Sequence, residues 1–297
     1  ELTAGLEYNY NSLNDYYIAT DRRLDQQTST IGLFAQNEWK SEMFNILVGF
    51  RLDKHSMIEK PIISPRANIR YSPIESLGLR LSYSSGYRAP QAYNEDLHID
   101  ALNHTVSLIE IADDLRPEYS HSLSASADYY HNFGRVQANI LVEGFYTMLN
   151  DVFTLEKIDV RDGVIIKERR NGSGARVGGL TLEAKVGIPN CFDVQLGYTF
   201  QKSQYVEPEQ WSEAVVAQRK MFRSPEHYGY LNSNIVITKQ LNASIFGTFT
   251  GPMLVQHTEN TDLNGVVHPD AEVMTPSFCD FGLTLDYTFR LTSVLSL

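Results

Sequence analysis

The chain has 297 residues and carries 25 Lys and Arg against 36 Asp and Glu, a formal net charge of −11. That acid excess excludes a nucleic-acid footprint, because neutralising phosphates takes a concentrated basic surface. No apolar run approaches the roughly 18 to 20 residues of a membrane-spanning helix, which excludes a helical membrane protein. The mean hydropathy of −0.27 leaves two classes open, a soluble all-β protein and a transmembrane barrel, since a barrel turns every second strand residue to water or lumen.

Alternation of apolar and polar residues, the period of a half-buried strand, begins at the first residues. Leu2, Ala4, Leu6, Tyr8 and Tyr10 share one face and Thr3, Gly5, Glu7 and Asn9 the other. The segment near 28–39 reads as a strand with less cleanly sorted faces. Phe44, Ile46, Val48, Phe50 and Leu52 then oppose Asn45, Gly49, Arg51 and Asp53; Ala67, Ile69 and Tyr71 oppose Arg66, Asn68 and Arg70; Leu79, Leu81 and Tyr83 oppose Arg80, Ser82 and Ser84. The pattern returns at Leu123–Tyr129, Val136–Val142, Leu180–Val186, Val194–Phe200 and Phe281–Phe289, with weaker strands near 228–237 and 242–250.

The links between these strands alternate in length. Those near 40–42, 73–77, 131–135, 189–191, 238–241 and 290–293 are short, while those near 11–27, 54–62, 89–116, 150–175, 202–225 and 257–275 are long. A soluble sandwich has no reason to gather its long loops at one end. An outer-membrane barrel does, with short periplasmic turns and long extracellular loops. Aromatics fit that orientation: Tyr8, Tyr10, Tyr83, Tyr146, Tyr198, Phe200 and Tyr228 fall near outer strand ends, and Tyr71, Tyr129, Tyr287 and Phe289 near inner ones, as interfacial girdles would. The predicted fold class is therefore all-β, an antiparallel up-and-down transmembrane barrel of about twelve strands plus the start of another.

Within this frame Arg88 to Pro117 is an extracellular loop that starts at the barrel rim, where Pro90 ends ladder pairing. "GYRAPQAYNEDLHI" followed by "DDLRPEYSHS" resembles the strand, loop and returning strand of TonB-dependent outer-membrane receptors, in which an aromatic-Arg-Ala-Pro box precedes an Asn/Asp-x-Leu-x-Pro-Glu box. "TIGLFAQNEWK", "GARVGGLTLEAKVG" and "RSPEHYGYLNSNI" are similar to further barrel segments of that family, with a flavour of its Bacteroidetes members. The resemblance extends over residues 1–297 and implies a barrel of about 22 strands. The chain is thus expected to be a partial barrel domain, without the plug domain, the TonB box, a signal peptide or the terminal strands.

The family resemblance also implies a location in the outer membrane of a Gram-negative bacterium, with outer-membrane lipid around the wall. Its implied partners are an extracellular nutrient such as an iron chelate, cobalamin or haem, and the TonB complex acting through the plug; no nucleic acid is expected. No cofactor and no catalysis are implied, and a smaller outer-membrane porin or barrel enzyme is the alternative. Candidate ligand contacts in the 88–116 loop are Arg88, Gln91, Tyr93, Asn94, Glu95, Asp96, His98 and His104. Haem receptors of the family carry an iron-ligating His between the two boxes, the interval that holds His98 and His104.

Other motifs are weaker. "KERRNGSGAR" places Arg169, Arg170 and Arg176 near a Gly-rich turn and reads as a solvated loop, the other option being a grip on an anionic chelate. "VRDG" at 160–163 is a turn signal for a small hairpin inside the 150–175 loop. Glu207, Glu209, Glu213, Asp262 and Asp270 match no calcium-loop pattern. Cys191 falls in an inner turn and Cys279 at an outer strand start, so no disulfide is expected between them.

Overall fold

The computed structural model describes residues 1–18, 21–91, 107–161, 164–257, 259–261 and 265–289. Its strands in chain order are β1 (Leu2–Tyr17), β2 (Arg22–Lys40), β3 (Phe44–His55), β4 (Ile62–Ile74), β5 (Leu77–Arg88), β6 (Ser107–Ile111), β7 (Glu118–Phe133), β8 (Val136–Asn150), β9 (Phe153–Arg161), β10 (Val164–Asn171), β11 (Ala175–Ile188), β12 (Phe192–Glu209), β13 (Gln218–Lys220), β14 (His227–Val236), β15 (Leu241–Thr250), β16 (Leu254–His257), β17 (Asn260–Thr261), β18 (Val267–His268), β19 (Ala271–Met274) and β20 (Phe278–Tyr287). One antiparallel sheet runs β1-β2-β3-β4-β5-β7-β8-β11-β12-β14-β15-β20, with β13 joined to the far end of β12. Among the described residues β1 pairs only with β2 and β20 only with β15, so the described strands form a wall with two edges.

The register sorts the two faces without interruption across neighbouring strands. One row reads Leu182–Tyr198–Gly229–Phe249–Cys279, and the next Ala184–Leu196–Leu231–Gly247–Phe281. Leu6, Leu33, Leu81 and Leu123 belong to the same outward face. These side chains are not packed away: Leu196 keeps 53% of its surface exposed and Phe281 69%, and no large side chain in the described residues is fully buried. The small sealed core is Ile58, Ile62 and Ala89. A wall with an exposed apolar outer face and almost no interior is built for hydrocarbon outside and water or other protein within.

The inner face is hydrogen-bonded. Arg51 bonds Asp53 at 2.8 Å and reaches across β2 to Glu7 at 2.7 Å. Gly32 makes that reach feasible, since a Cβ there would lie 2.5 Å from Arg51 Nη2 and Asp53 Oδ1. Neutral pairs continue around the wall: Asn68 donates to Ser82 at 2.6 Å, Ser122 meets Thr147 at 2.9 Å, Thr181 meets Thr199 at 3.0 Å, and Gln195 donates to Tyr230 at 2.9 Å.

The inner turns are tight. Gly134, with φ +63°, and Arg135 join β7 to β8, and Asn190, with φ +60°, serves the β11–β12 turn; both positions need the left-handed backbone that Gly and Asn accept most easily. The predicted long outer link at 11–27 is instead ladder. Pairing of β1 with β2 continues to Tyr17↔Arg22. The strands have 16 and 19 residues, whereas about 9 to 11 cross a bilayer. The excess projects as a ribbon whose polar cross-strand contacts, such as Asn14 to Asp25 at 2.7 Å, suit water. Backbone pairing does not require an apolar face, so the loss of alternation did not end the strands. Tyr228 pairs with Thr199 and so shares the inner face instead of joining the outward girdle of Tyr83, Tyr146 and Tyr198.

Candidate functional site

The outer connections, at 56–61, 89–117, 151–174, 210–226 and 251–277, all leave the same rim. Arg88 closes the β5–β7 ladder directly opposite Glu118, joining the two sequence boxes through the backbone as well as through a 3.8 Å ion pair. Phe153 completes the junction: its N–H donates to Glu118 Oε1, and its ring receives Arg88 at 5.4 Å and Arg169 at 5.9 Å from the centroid. Arg169 is only 3% exposed. It corrects the solvated-loop reading of that run, because β10 is an ordered strand with its arginine turned into the junction. Arg170 is paired along the same hairpin, with Glu156 at 2.6 Å and Glu168 at 2.7 Å.

The hairpin expected at 160–163 is present, as the β9–β10 ladder closes at Val164↔Arg161. β6 adds to it in parallel to make the sheet β6-β10-β9. The loop that follows β6 is then held by Asn171, whose Oδ1 accepts from Arg116 N at 2.8 Å and whose Nδ2 donates to Arg116 O at 2.9 Å and Asp151 O at 2.7 Å. An Arg116–Asp151 ion pair of 2.7 Å closes the same corner.

A second anchor lies at the loop base. Ala89 packs with Ile58 and Ile62 beneath Tyr87 and Tyr119. His55 is buried, its Nδ1 accepts from Met57 N at 3.1 Å, and Gln91 bonds the same ring. Burial pushes the His55 pKa down, with Gln91 and Asp53 opposing the shift. Arg88 and Gln91 are thus both engaged in holding the loop's first turn. Tyr93, Asn94, Glu95, Asp96, His98 and His104 lie outside the described residues.

Sequence reasoning missed a further rim element. The 210–222 segment docks on the β16–β19 pair: Trp211 Nε1 donates to Glu272 at 3.2 Å, Gln218 bonds the other carboxylate oxygen, and Ser212 donates to Asp270 at 2.5 Å. Asp270 also accepts from Glu259 N at 2.6 Å. Between this segment and β9 lies a crevice of about 610 Å³ that carries Glu156, Lys157, Asp159, Trp211, Glu213 and Glu259. Arg161 beside Asp159 lowers that carboxyl's pKa. Only Trp211, a lone indole in a polar loop, gave any sequence signal for the docking. The rim offers hydrogen-bonding groups, ring faces and paired charges, the equipment for reversible binding. Among the described residues no group of three or more His, Cys, Asp or Glu is placed to hold a metal. Cys191 and Cys279 are free and stand at opposite ends of the wall.

The sequence matches the profile described as TonB dependent receptor-like, beta-barrel, over residues 1–297. The chain belongs to the TonB-dependent receptor family. A search of curated proteins returns no match. Among solved structures, the siderophore receptor PirA from Acinetobacter baumannii superimposes with a TM-score of 0.70 at 15% identity, covering 98% of this chain and 46% of that one. A point mutant of the ferric enterobactin receptor PfeA from Pseudomonas aeruginosa gives 0.67 at 17%, with 98% and 44% covered. The F5-1 variant of the FrpB iron transporter from Neisseria meningitidis gives 0.67 at 14%, with 96% and 46% covered. At these identities the likeness is one of fold, and the chain spans under half the length of each.

Proposed function

We propose that these residues form the barrel wall and part of the extracellular rim of an outer-membrane receptor of a Gram-negative bacterium. The receptor takes up a bulky nutrient, such as a ferric siderophore, cobalamin or haem, with energy delivered by TonB through a plug domain. The observation that carries this reading is the combination of an apolar, exposed outward face with long outer connections that dock on one another at a single rim. A polar inner wall beneath that rim supports passage of a hydrogen-bonding solute. Solved relatives described as a siderophore receptor and an iron transporter support an iron-bearing cargo.

The test is binding and uptake by the intact receptor with a panel of ferric chelates, cobalamin and haem. The proposal expects saturable high-affinity binding of one class and uptake that stops when TonB is deleted. Uptake unaffected by TonB loss, with no saturable ligand, would assign a passive pore instead. Within the panel, loss of haem affinity in His98→Ala or His104→Ala would select haem, and unchanged affinity would remove it.

A further inference from the structure

The outward face carries a groove of about 550 Å³, lined almost wholly by apolar atoms, in its outer half. Gly229 and Gly247 form the floor, and Leu196, Tyr198, Phe249 and Phe281 rise around it. The floor is fixed by geometry: a Cβ on Gly229 would stand 2.6 Å from the Gly197 carbonyl oxygen, and one on Gly247 would stand 2.7 Å from the Phe281 ring. The groove is continuous with the exposed apolar band on both sides, so its occupant meets it from the hydrocarbon.

What lies above the groove on the same face identifies that occupant. Continuing outward along β12 from Tyr198 come Phe200 and Lys202, and across the ladder Gly178 pairs with Lys202 and Arg176 with Gln204. Arg176 and Lys202 are therefore diagonal neighbours, about 7–8 Å apart at Cα, and both are exposed. Neither makes an ion pair among the described residues. At about 3.3 Å per residue Lys202 is about 13 Å from Tyr198 along the strand, or about 10 Å along the bilayer normal at a tilt near 40°. That is the separation between a lipid phosphate and the upper part of its acyl chain. Between the two levels the Tyr198 hydroxyl meets His227 Nδ1 at 2.6 Å, a polar contact at the depth of the ester groups.

We propose that this is a binding site for a phosphorylated lipid of the outer leaflet, one acyl chain seated over Gly229 and Gly247 and the phosphate held between Arg176 and Lys202. The inference rests on the outer-membrane reading above. A lipid A type headgroup fits better than a zwitterionic phospholipid: Glu226, the carboxylate that acts on Lys202, is already paired with Lys220 at 3.0 Å, and two exposed cations favour the headgroup that carries more negative charge.

The experiment is native mass spectrometry of the intact receptor, taken from outer membranes into mild detergent and titrated with diphosphorylated lipid A, its phosphate-free counterpart and phosphatidylethanolamine. Retention of diphosphorylated lipid A above the other two is expected. It should fall about thirtyfold in R176Q/K202Q, stay near wild type in R176K/K202R, and fall in A184F, which fills the groove without touching the charges. Equal retention in R176Q/K202Q, or a preference for phosphatidylethanolamine, would overturn the proposal. So would a receptor dimer abolished by A184F, which would give the groove to a second copy. Absence of the receptor from the outer-membrane fraction would mark failure of the localisation itself.

Discussion

The Arg88–Glu118–Phe153 junction makes a prediction in which two partners of one contact behave unequally. Glu118 has a side chain 16% exposed against 39% for Arg88, and their pair is long, at 3.8 Å. Glu118 also accepts the Phe153 N–H at the start of β9. Replacing Glu118 with Ala strands that half-buried donor and removes a charge-assisted bond, a cost of about 2–3 kcal/mol. Replacing Arg88 with Ala leaves the Glu118–Phe153 bond in place and removes from this junction a long, half-exposed pair and a cation–ring contact, about 1 kcal/mol. If opening of the β9–β10 hairpin is local, its open population rises about 30- to 150-fold in Glu118→Ala and about fivefold in Arg88→Ala, with Glu118→Gln in between. Hydrogen exchange of the intact receptor, followed on peptides covering 153–171, reads these changes directly. Equal protection in the two alanine variants, or unchanged protection in Glu118→Ala, would refute the junction as the hairpin's anchor. Ligand affinity lost in Arg88→Ala without any change in exchange would reassign Arg88 to the cargo.

Three further outcomes follow from the same geometry. Leu81→Arg on the outward face should destabilise the barrel by about 2–4 kcal/mol, whereas Ser124→Arg one row away on the inner face should cost little; the unfolding midpoint of the intact receptor in urea checks both. His55 is held neutral by burial and accepts from Met57 N–H. Because its folded pKa lies below its ordinary value of about 6.5, it contributes stability above that pH and loses it as pH falls through the folded value. Protection over 56–61, taken relative to the intrinsic exchange rate at each pH, should fall as pH drops from about 6.5 through the folded value, and His55→Gln should flatten that dependence. Glu272→Ala removes the shared acceptor of Trp211 and Gln218 and should expose both 210–222 and 254–274 to limited proteolysis together; cleavage in only one segment would contradict their docking.

The spanning strands were legible because a wall between hydrocarbon and water forces a period of two on every crossing, as in Leu79–Tyr83 or Leu180–Val186. Where the period blurred, near 28–39 and 242–250, inward-facing aromatics are the cause. Phe34 lies over the site where a Gly5 side chain would be, and Phe246 over that of Gly282, so each inner face borrows an apolar ring to cover a cross-strand glycine. The 160–163 hairpin was readable from its turn residues. The outer ribbon of β1 and β2 was not, since pairing in water leaves no hydropathy signature. The rim contacts were hidden for a related reason: Glu118 and Phe153 stand 35 residues apart and Trp211 and Glu272 stand 61 apart, and no local spacing rule links them. Arg88 was singled out by its motif, but that it faces Glu118 across the ladder is a fact of register.

The central claim is that even-numbered residues of β12 touch lipid and odd-numbered ones line the interior. It is tested most directly by single cysteines at positions 194–201 of the intact receptor with Cys191 and Cys279 replaced, labelled in outer membranes by a charged, membrane-impermeant maleimide and by a lipid-soluble one. Labelling that alternates residue by residue, with the lipid-soluble reagent favouring Leu196, Tyr198 and Phe200 and the charged reagent excluded from them, is the predicted result. Uniform labelling, or charged-reagent access at Leu196 and Tyr198, would contradict it.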